Sequence, residues 1–453
     1  MKVCGIVAEY NPFHNGHAYQ IRQAREVLGA DFVIIIMSGD FVQRGAPAIV
    51  EKHHRARMAL EGGADLVLEL PVFHAVSSAE GFAHGAVEIL DSLGVVDFLC
   101  FGAETPSISD MMAVADILIR EPEEFRAKLK ELQKSGVSFP RARAESVLSY
   151  LKTAGAFAER ETDPSRLLSD IGGLLSSPNN ILGIEYCKAL IRLHSSIQPV
   201  PIRRKGAGYF SPASREDDPQ QDSSSPASRE DDPQQDSPSP SLLSAFAIRD
   251  EIRRVSSSTC TGGNMEGLRR FLLRCMPEEA ALLLFRLVQE NSFLFEDSLD
   301  LLLGYRLLQE TLESLRSYAD ISEPVARRIL HFRNQYSGFL SFTDLLKTRD
   351  VAQTRISRCL CRLVLELPDT CVSPTYARVL GFRKESASLL SAIKEGSRLP
   401  LVTKASEVSR VLDAAGTAQY AKGVWASDVY QLLLSRKSRK PFLQEHQKKV
   451  VLL

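Results

Sequence analysis

The 453 residues, 44% of them hydrophobic and 25% charged, exceed one ordinary domain and predict two or three folded units. No apolar run approaches the ~18 residues of a membrane-spanning helix, Glu9 ends the first apolar run too early for a secretory signal, and the eight cysteines form no Cys-x-x-Cys unit near paired histidines; these features exclude a membrane protein and a zinc domain and predict a soluble cytoplasmic chain with reduced thiols. The formal net charge of −1 is uneven, because residues 211–241 carry two arginines against eight acids, −6 in all, and leave +5 for the rest.

In chain order, "VCGIVAEY", a helix from about His17 to Leu28, "DFVIIIMSG", a helix around Arg55 to Leu60, "DLVLELP", a helix from Ala79 to Leu93 and "VVDFLCFGA" repeat strand and helix. Strands so uniformly apolar suit a parallel sheet buried on both faces, which predicts a doubly wound α/β domain with its ligands at the carboxyl ends of the strands. Residues 211–224, "SPASREDDPQQDSS", are followed by a near-perfect copy at 225–238, and this tandem repeat lacks the apolar side chains needed to offset the entropy of ordering. It reads as a disordered surface insertion. Beyond residue 257 the pattern is helical almost throughout until "RLPLVTK", so an α/β domain over 1–256 and a mainly α-helical domain over 257–453 are expected.

The stretch "EYNPFHNGHAYQI" places His14 and His17 around an Asn-Gly pair on the turn that leaves the first strand. A strand, a tight turn and a helix N-terminus put backbone N–H groups beside the turn and make an anion site. Two imidazoles there can donate to phosphate oxygens, most usefully as charge builds under in-line attack. The competing reading has His14 cap the turn and His17 pack against the sheet. In "SGDFVQRG", the planar fork of Arg44 matches a carboxylate, or Asp40 and Arg44 bond each other and shape the loop. Residues 327–362 carry eight Lys or Arg against two acids, interleaved with Phe332, Tyr336, Phe339 and Phe342, a composition that suits RNA or an ordinary basic helix surface.

"PFHNGH" resembles the His-x-Gly-His signature of the nucleotidylyltransferase superfamily, whose members attack the α-phosphate of ATP and release pyrophosphate. With "MSGDFVQRGAPAIVEKHHRARMALEGGADLVLELP", "SSAEGFAHGAVEIL", "FGAE", "SPNNILGIEYCKAL", "SAFAIR", "TRISR" and "YARVLGF", the chain resembles the tRNA(Met) cytidine acetate ligase family over nearly its whole length. The resemblance implies a nucleotidylyltransferase-type Rossmann-like sheet followed by a tRNA-binding helical domain. It also implies a ligase that forms acetyl-adenylate from acetate and ATP, with Mg2+, and acetylates N4 of the wobble cytidine of elongator tRNA(Met), without membrane or DNA partners.

It assigns His14 and His17 to catalysis and wraps ATP in Val7, Ala8, Glu9, Tyr10, Asn11, Pro12, Phe13, His14, Asn15, Gly16, His17, Ala18, Tyr19 and Gln20. Gly102, Asn179 or Asn180, Arg204 or else Arg203, and Ser244 with Arg249 of "SAFAIR" complete that site, although Ser244 also reads as a helix N-cap. Asp40 and Arg44 fall near the second substrate, and Arg355 and Arg358 of "TRISR" share a helical face toward tRNA. Three positions depart from the pattern: Phe246 replaces a small or hydroxyl residue, Phe210 a histidine, and Lys205 an aliphatic. The rival functions are a nucleotidylyltransferase acting on a small phosphorylated metabolite and a non-catalytic RNA-binding protein on the same fold. The long helical region and its basic stretch favour the ligase.

Overall fold

The computed structural model describes residues 1–153, 171–204, 243–257, 262–349, 351–368 and 373–453. The acidic repeat, Lys205 and Phe210 lie outside these residues. The strands are β1 (Val3–Ala8), β2 (Phe32–Ser38), β3 (Phe41–Val42), β4 (Ala46–Pro47), β5 (Leu66–Leu70), β6 (Phe98–Ala103), β7 (Gln198–Arg203), β8 (Ala377–Phe382), β9 (Leu401–Val402) and β10 (Val451–Leu452). Eight of them form one sheet in the order β10-β8-β5-β2-β1-β6-β7, with β9 beside β8, while β3 and β4 make a separate hairpin. All pairings in the large sheet are parallel except β5 with β8. The order runs outward from β1 through β2 to β5 and then turns back to β6 on the other side of β1. That reversal opens a crevice at the carboxyl ends of β1 and β6, where open α/β sheets bind ligands.

Alternation along β2 shows why these strands had to be apolar throughout. Ile34 and Ile36 face one core with the helices Ala79–Ser92, Ile108–Arg120 and Pro178–Arg192. Val33, Ile35 and Met37 face the other, with the helices Asn15–Glu26 and Lys52–Glu61. A doubly wound sheet is therefore present as the sequence predicts. The helices Ala245–Ser257, Gly262–Cys275 and Glu278–Gln289 cover this second face as well, through Ile248, Leu268 and Leu284. A further, helical core gathers Leu294 to Leu367 and Ala426 to Leu433 around Leu303, Phe342 and Leu360, and takes in Phe41, Val72 and Val76. After it the chain returns to the sheet as β8, β9 and β10. None of the described helices is long and apolar enough to cross a membrane.

A buried ionic layer fixes that return. Lys52, with no exposed side-chain surface, lies 2.8 Å from Glu69, 2.9 Å from Glu445 and 3.8 Å from Asp40. Arg378 of β8 reaches the same two glutamates at 3.2 and 2.5 Å. Burial alone would raise the Glu445 carboxyl, but Lys52 and Arg378 outweigh it and hold the group below the usual range. Glu445→Ala leaves two buried cations short of a partner and is expected to cost on the order of 3 kcal/mol in denaturant unfolding. A loss within a few tenths of a kcal/mol would show that this layer does not hold the C-terminal segment to the sheet.

Candidate active site

The turn after β1 is rigid for reasons that start with Tyr10, whose φ of 47° is uncommon for a bulky residue and redirects the chain. Its buried ring meets Phe13 edge-on at 4.9 Å and His17 at 4.7 Å, an apolar floor under the histidines. Asn11 accepts from the Ile49 N–H at 2.7 Å through Oδ1 and from Arg249 at 2.5 Å through its carbonyl. Arg55, fully buried, donates to the carbonyls of Glu9 (2.6 Å), Ser38 (3.0 Å), Val50 (3.0 Å) and Gly39. Glu9 Oε1 in turn accepts the Gln43 N–H at 2.8 Å.

His14 is the N-cap of the helix Asn15–Glu26, as the capping reading of the pair expects. Its Nδ1 accepts the Gly16 N–H at 3.0 Å, and His17 Nδ1 accepts the His14 N–H at 3.2 Å, a capping box built from imidazoles. A Cβ at position 16 would lie 2.8 Å from His14 Cε1, which accounts for the glycine. With each Nδ1 accepting, each ring proton sits on Nε2, the nitrogen left for the cavity that both rings line. The rings stack with centroids 3.8 Å apart. Burial, reinforced by Arg204 and Arg249, lowers His14 to about 3. Burial and then His14 itself push His17 well down too. Two neutral imidazoles, each with its Nδ1 engaged by the backbone, thus stand side by side in the cavity lining.

The cavity, 270 Å³, lies at the sheet reversal and divides by polarity. Phe82, Phe101, Leu182 and Tyr186 give it an apolar wall. Among the described lining residues, Arg44, Arg203, Arg204 and Arg249 give it a cationic rim against one carboxylate, Glu9. Val7, Ala8, Tyr10, Asn11, Tyr19, Gln20 and Gly102 line it as well. Gln20 ties its helix to β6 by donating to the Cys100 carbonyl at 3.0 Å, and the Arg204 side chain passes over Gly102, where a Cβ would meet it at 3.2 Å.

Of the two candidate asparagines, Asn179 lines the cavity and Asn180 lies beneath it with no exposed surface. Asn180 Oδ1 accepts the N–H groups of Glu104 and Thr105 at 2.9 and 3.2 Å, while Glu104 accepts from Asn179 Nδ2 at 2.5 Å and from the Asn180 N–H at 3.2 Å. Ser244 both lines the cavity and caps its helix, Oγ accepting the Ala247 N–H at 3.3 Å.

Pro12, Phe13, Asn15 and Ala18 support the turn without lining the cavity. Asp40 does not reach it either: it is 4% exposed and accepts the Lys52 N–H at 2.8 Å, so its carboxylate belongs to the ionic layer, whereas Arg44 is on the rim. Arg355 donates to the Asp320 carbonyl at 2.9 Å and Arg358 pairs with the Asp320 carboxylate at 3.0 Å, so both arginines already hold an internal turn. Phe339 and Phe342 are core residues, and the Tyr336 hydroxyl donates to the Asp300 carbonyl. Among the described residues no group of three or more His, Cys, Asp or Glu is placed to hold a metal ion. Arg55 and Glu104 went unnoticed in the sequence, since nothing in a run such as "EKHHRARM" marks one arginine as buried.

The profile of the HIGH nucleotidyl transferase family matches residues 1–445. A curated protein of Acetivibrio thermocellus named tRNA(Met) cytidine acetate ligase is 33% identical over 100% of both chains. One of the same name from Clostridium kluyveri is 37% identical over 89% of this chain and 90% of that one. Among solved structures, Thermotoga maritima TmcAL bound with alpha-thio ATP superposes with a TM-score of 0.81 at 30% identity, and its apo form with 0.84, each covering 100% of both chains.

The depressed imidazole has a measurable consequence. Below the ordinary histidine value of 6.5 the unfolded chain binds a proton that the folded His14 refuses until about pH 3, so stability falls as the pH drops through that window. His14 alone contributes about 2 kcal/mol of this loss by the time the pH reaches about 5. His14→Asn keeps an N-cap acceptor but cannot titrate, so its unfolding free energy should depend less steeply on pH over that range. Equal slopes for both chains would mean that His14 is not held neutral.

Proposed function

We propose that this chain, which belongs to the HIGH nucleotidyl transferase family and within it to the tRNA(Met) cytidine acetate ligases, activates acetate with ATP and transfers the acetyl group to N4 of the wobble cytidine of elongator tRNA(Met). The observation that carries this reading is the pair of neutral imidazoles, each with its Nδ1 held by the backbone and its ring in the lining of a cavity that is apolar on one wall and cationic on its rim. The apolar wall suits the flat base of ATP and the arginines suit its phosphates. His14 and His17 then face the α-phosphate.

A carboxylate oxygen of acetate attacks the α-phosphorus, the new P–O bond forms, and the bond to the β-phosphate oxygen breaks with release of pyrophosphate. Negative charge gathers on the α-phosphate oxygens at that moment, and the two Nε2–H donors stabilise it without any reorganisation. Neutral donors suit this role: they keep N–H bonds directed at the oxygens, while Arg204 and Arg249 supply the positive charge. In this reading Arg44, which lines the cavity beside Gln43, holds the acetate carboxylate through its planar fork. In the second step the N4 amine attacks the acyl carbon of acetyl-adenylate, AMP leaves with the electron pair of its phosphate oxygen, and the amine loses one proton.

Incorporation of labelled pyrophosphate into ATP tests the first step directly, and it should require acetate. Exchange that proceeds equally without acetate points to a plain nucleotidylyltransferase, and no exchange at all removes the catalytic reading. His17→Ala should lower the exchange rate on the order of 10²-fold with little change in ATP affinity, because the interaction is made in the transition state. In Arg44→Leu the apparent KM for acetate should rise at least about tenfold, the loss of a charge-assisted pair, while that for ATP stays near the parent value. An unchanged acetate KM would remove Arg44 from the acetate site.

A further inference from the structure

The helix Ala245–Ser257 begins at the cavity, with Leu243, Ser244 and Ala245 lining it and Arg249 a turn further along. Ala247, Ile248 and Ile252 of this helix are 6%, 0% and 0% exposed and face the core. Phe246 does not. It is 41% exposed, and its ring joins none of the packed apolar clusters among the described residues. In a helical period Phe246 shares its side with Arg249 and Arg253, three and seven residues on.

A single exposed aromatic is ordinary on a protein surface. What distinguishes this one is its place, next to Ala245 of the cavity lining and one helical turn before Arg249, which lines the same cavity. The acceptor amine in the proposed reaction belongs to a base of a single-stranded RNA loop, and such a base must leave its stacked neighbours to reach the acyl carbon. Single-stranded bases are commonly received on aromatic rings next to arginines.

We infer that Phe246 is the platform on which the acceptor pyrimidine of the tRNA stacks as it enters the cavity. The inference rests on the acetyl-transfer reading above and adds the residue that receives the base. Phe246 is a binding and positioning residue for the second substrate and takes no part in making acetyl-adenylate.

Full-length Phe246→Ser and Phe246→Trp chains, compared with the parent, decide it through two readouts: acetate-dependent ATP–pyrophosphate exchange without tRNA, and steady-state acetyl transfer to tRNA. In Phe246→Ser the exchange should stay within about twofold of the parent, while kcat/KM for tRNA falls about tenfold, the scale of one lost base–aromatic stack. Phe246→Trp should restore transfer, which a merely structural role for the phenylalanine would not require. Parent-level transfer by Phe246→Ser overturns the inference. So does an equal loss of exchange and transfer, which makes the ring part of the nucleotide pocket. Absence of acetate-dependent exchange in the parent overturns the acetyl-adenylate reading itself, and the platform with it.

Discussion

Arg55 has no exposed surface, and its guanidinium gathers the carbonyls of Glu9, Ser38, Gly39 and Val50, so that the turns leaving β1 and β2 are held by one buried cation. Few groups could do this. A guanidinium has five donors in a fixed plane and keeps its proton even where burial works against it, whereas a lysine would present a single point. Burial does pull its proton affinity down, and the carboxylates of Asp40, Glu9 and Glu69 oppose that pull. With both turns fixed, the backbone of Asn11 is available to Arg249 and that of Gly16 to His14. The tautomers of the two histidines follow from these backbone positions, and the direction of their Nε2–H bonds follows from the tautomers.

Lys52, the first residue of the same helix, extends this logic to the rest of the chain. Lys52 sits among Glu69, Glu445 and Asp40, with Arg378 of β8 opposite, so an element near each end of the sequence contributes to one buried layer. Such layers often add little net stability over apolar packing, but a wrong docking of β8 leaves charges buried without partners. β8 is the one antiparallel neighbour in the large sheet, and its register against β5 shifts between Val67 and Leu68. Apolar alternation alone would not fix a strand with such an irregularity. The ion pairs to Glu69 and Glu445 do.

Much of the fold was legible because the β strands of the first hundred residues are apolar on both faces, a pattern with few other uses. The histidine pair was legible because strand, turn and helix surround it in the sequence. β8 to β10 were harder to see. "YARVLGF" stood out by resemblance, yet it follows a long helical stretch, and its partner strand lies some three hundred residues earlier, a separation that local patterns cannot register. Asp40 and Arg358 were misleading for a common reason: a charged side chain in a loop or on a basic helix looks available until a buried lysine or the Asp320 turn is found beside it. Asn179 and Asn180 are adjacent and chemically identical, and only the position of Glu104 separates the one that lines the cavity from the one that supports it.

The hairpin of β3 and β4 shows how the two halves of the molecule meet at the site. Gly45, at φ 75°, lies so close to the helix Gln353–Leu365 that a Cβ there would be 2.3 Å from the Arg358 nitrogen and 2.5 Å from the Ser357 carbonyl oxygen. Two residues earlier, Gln43 donates its N–H to Glu9 on the nucleotide side. Arg44 stands between these two anchors and faces the cavity. The same helix is fastened to the sheet region a second time, since Arg362 donates to the carbonyls of Val76 and Phe73 at 2.6 and 2.8 Å. A backbone-to-backbone approach at Gly45 leaves no side chain to absorb movement, so a displacement of the helical core is passed to Arg44 rather than lost in a flexible contact. The helical region thereby sets the geometry of the cavity rim as well as presenting surface of its own, which gives a physical reason for a nucleotide-activating sheet to carry so large a helical partner.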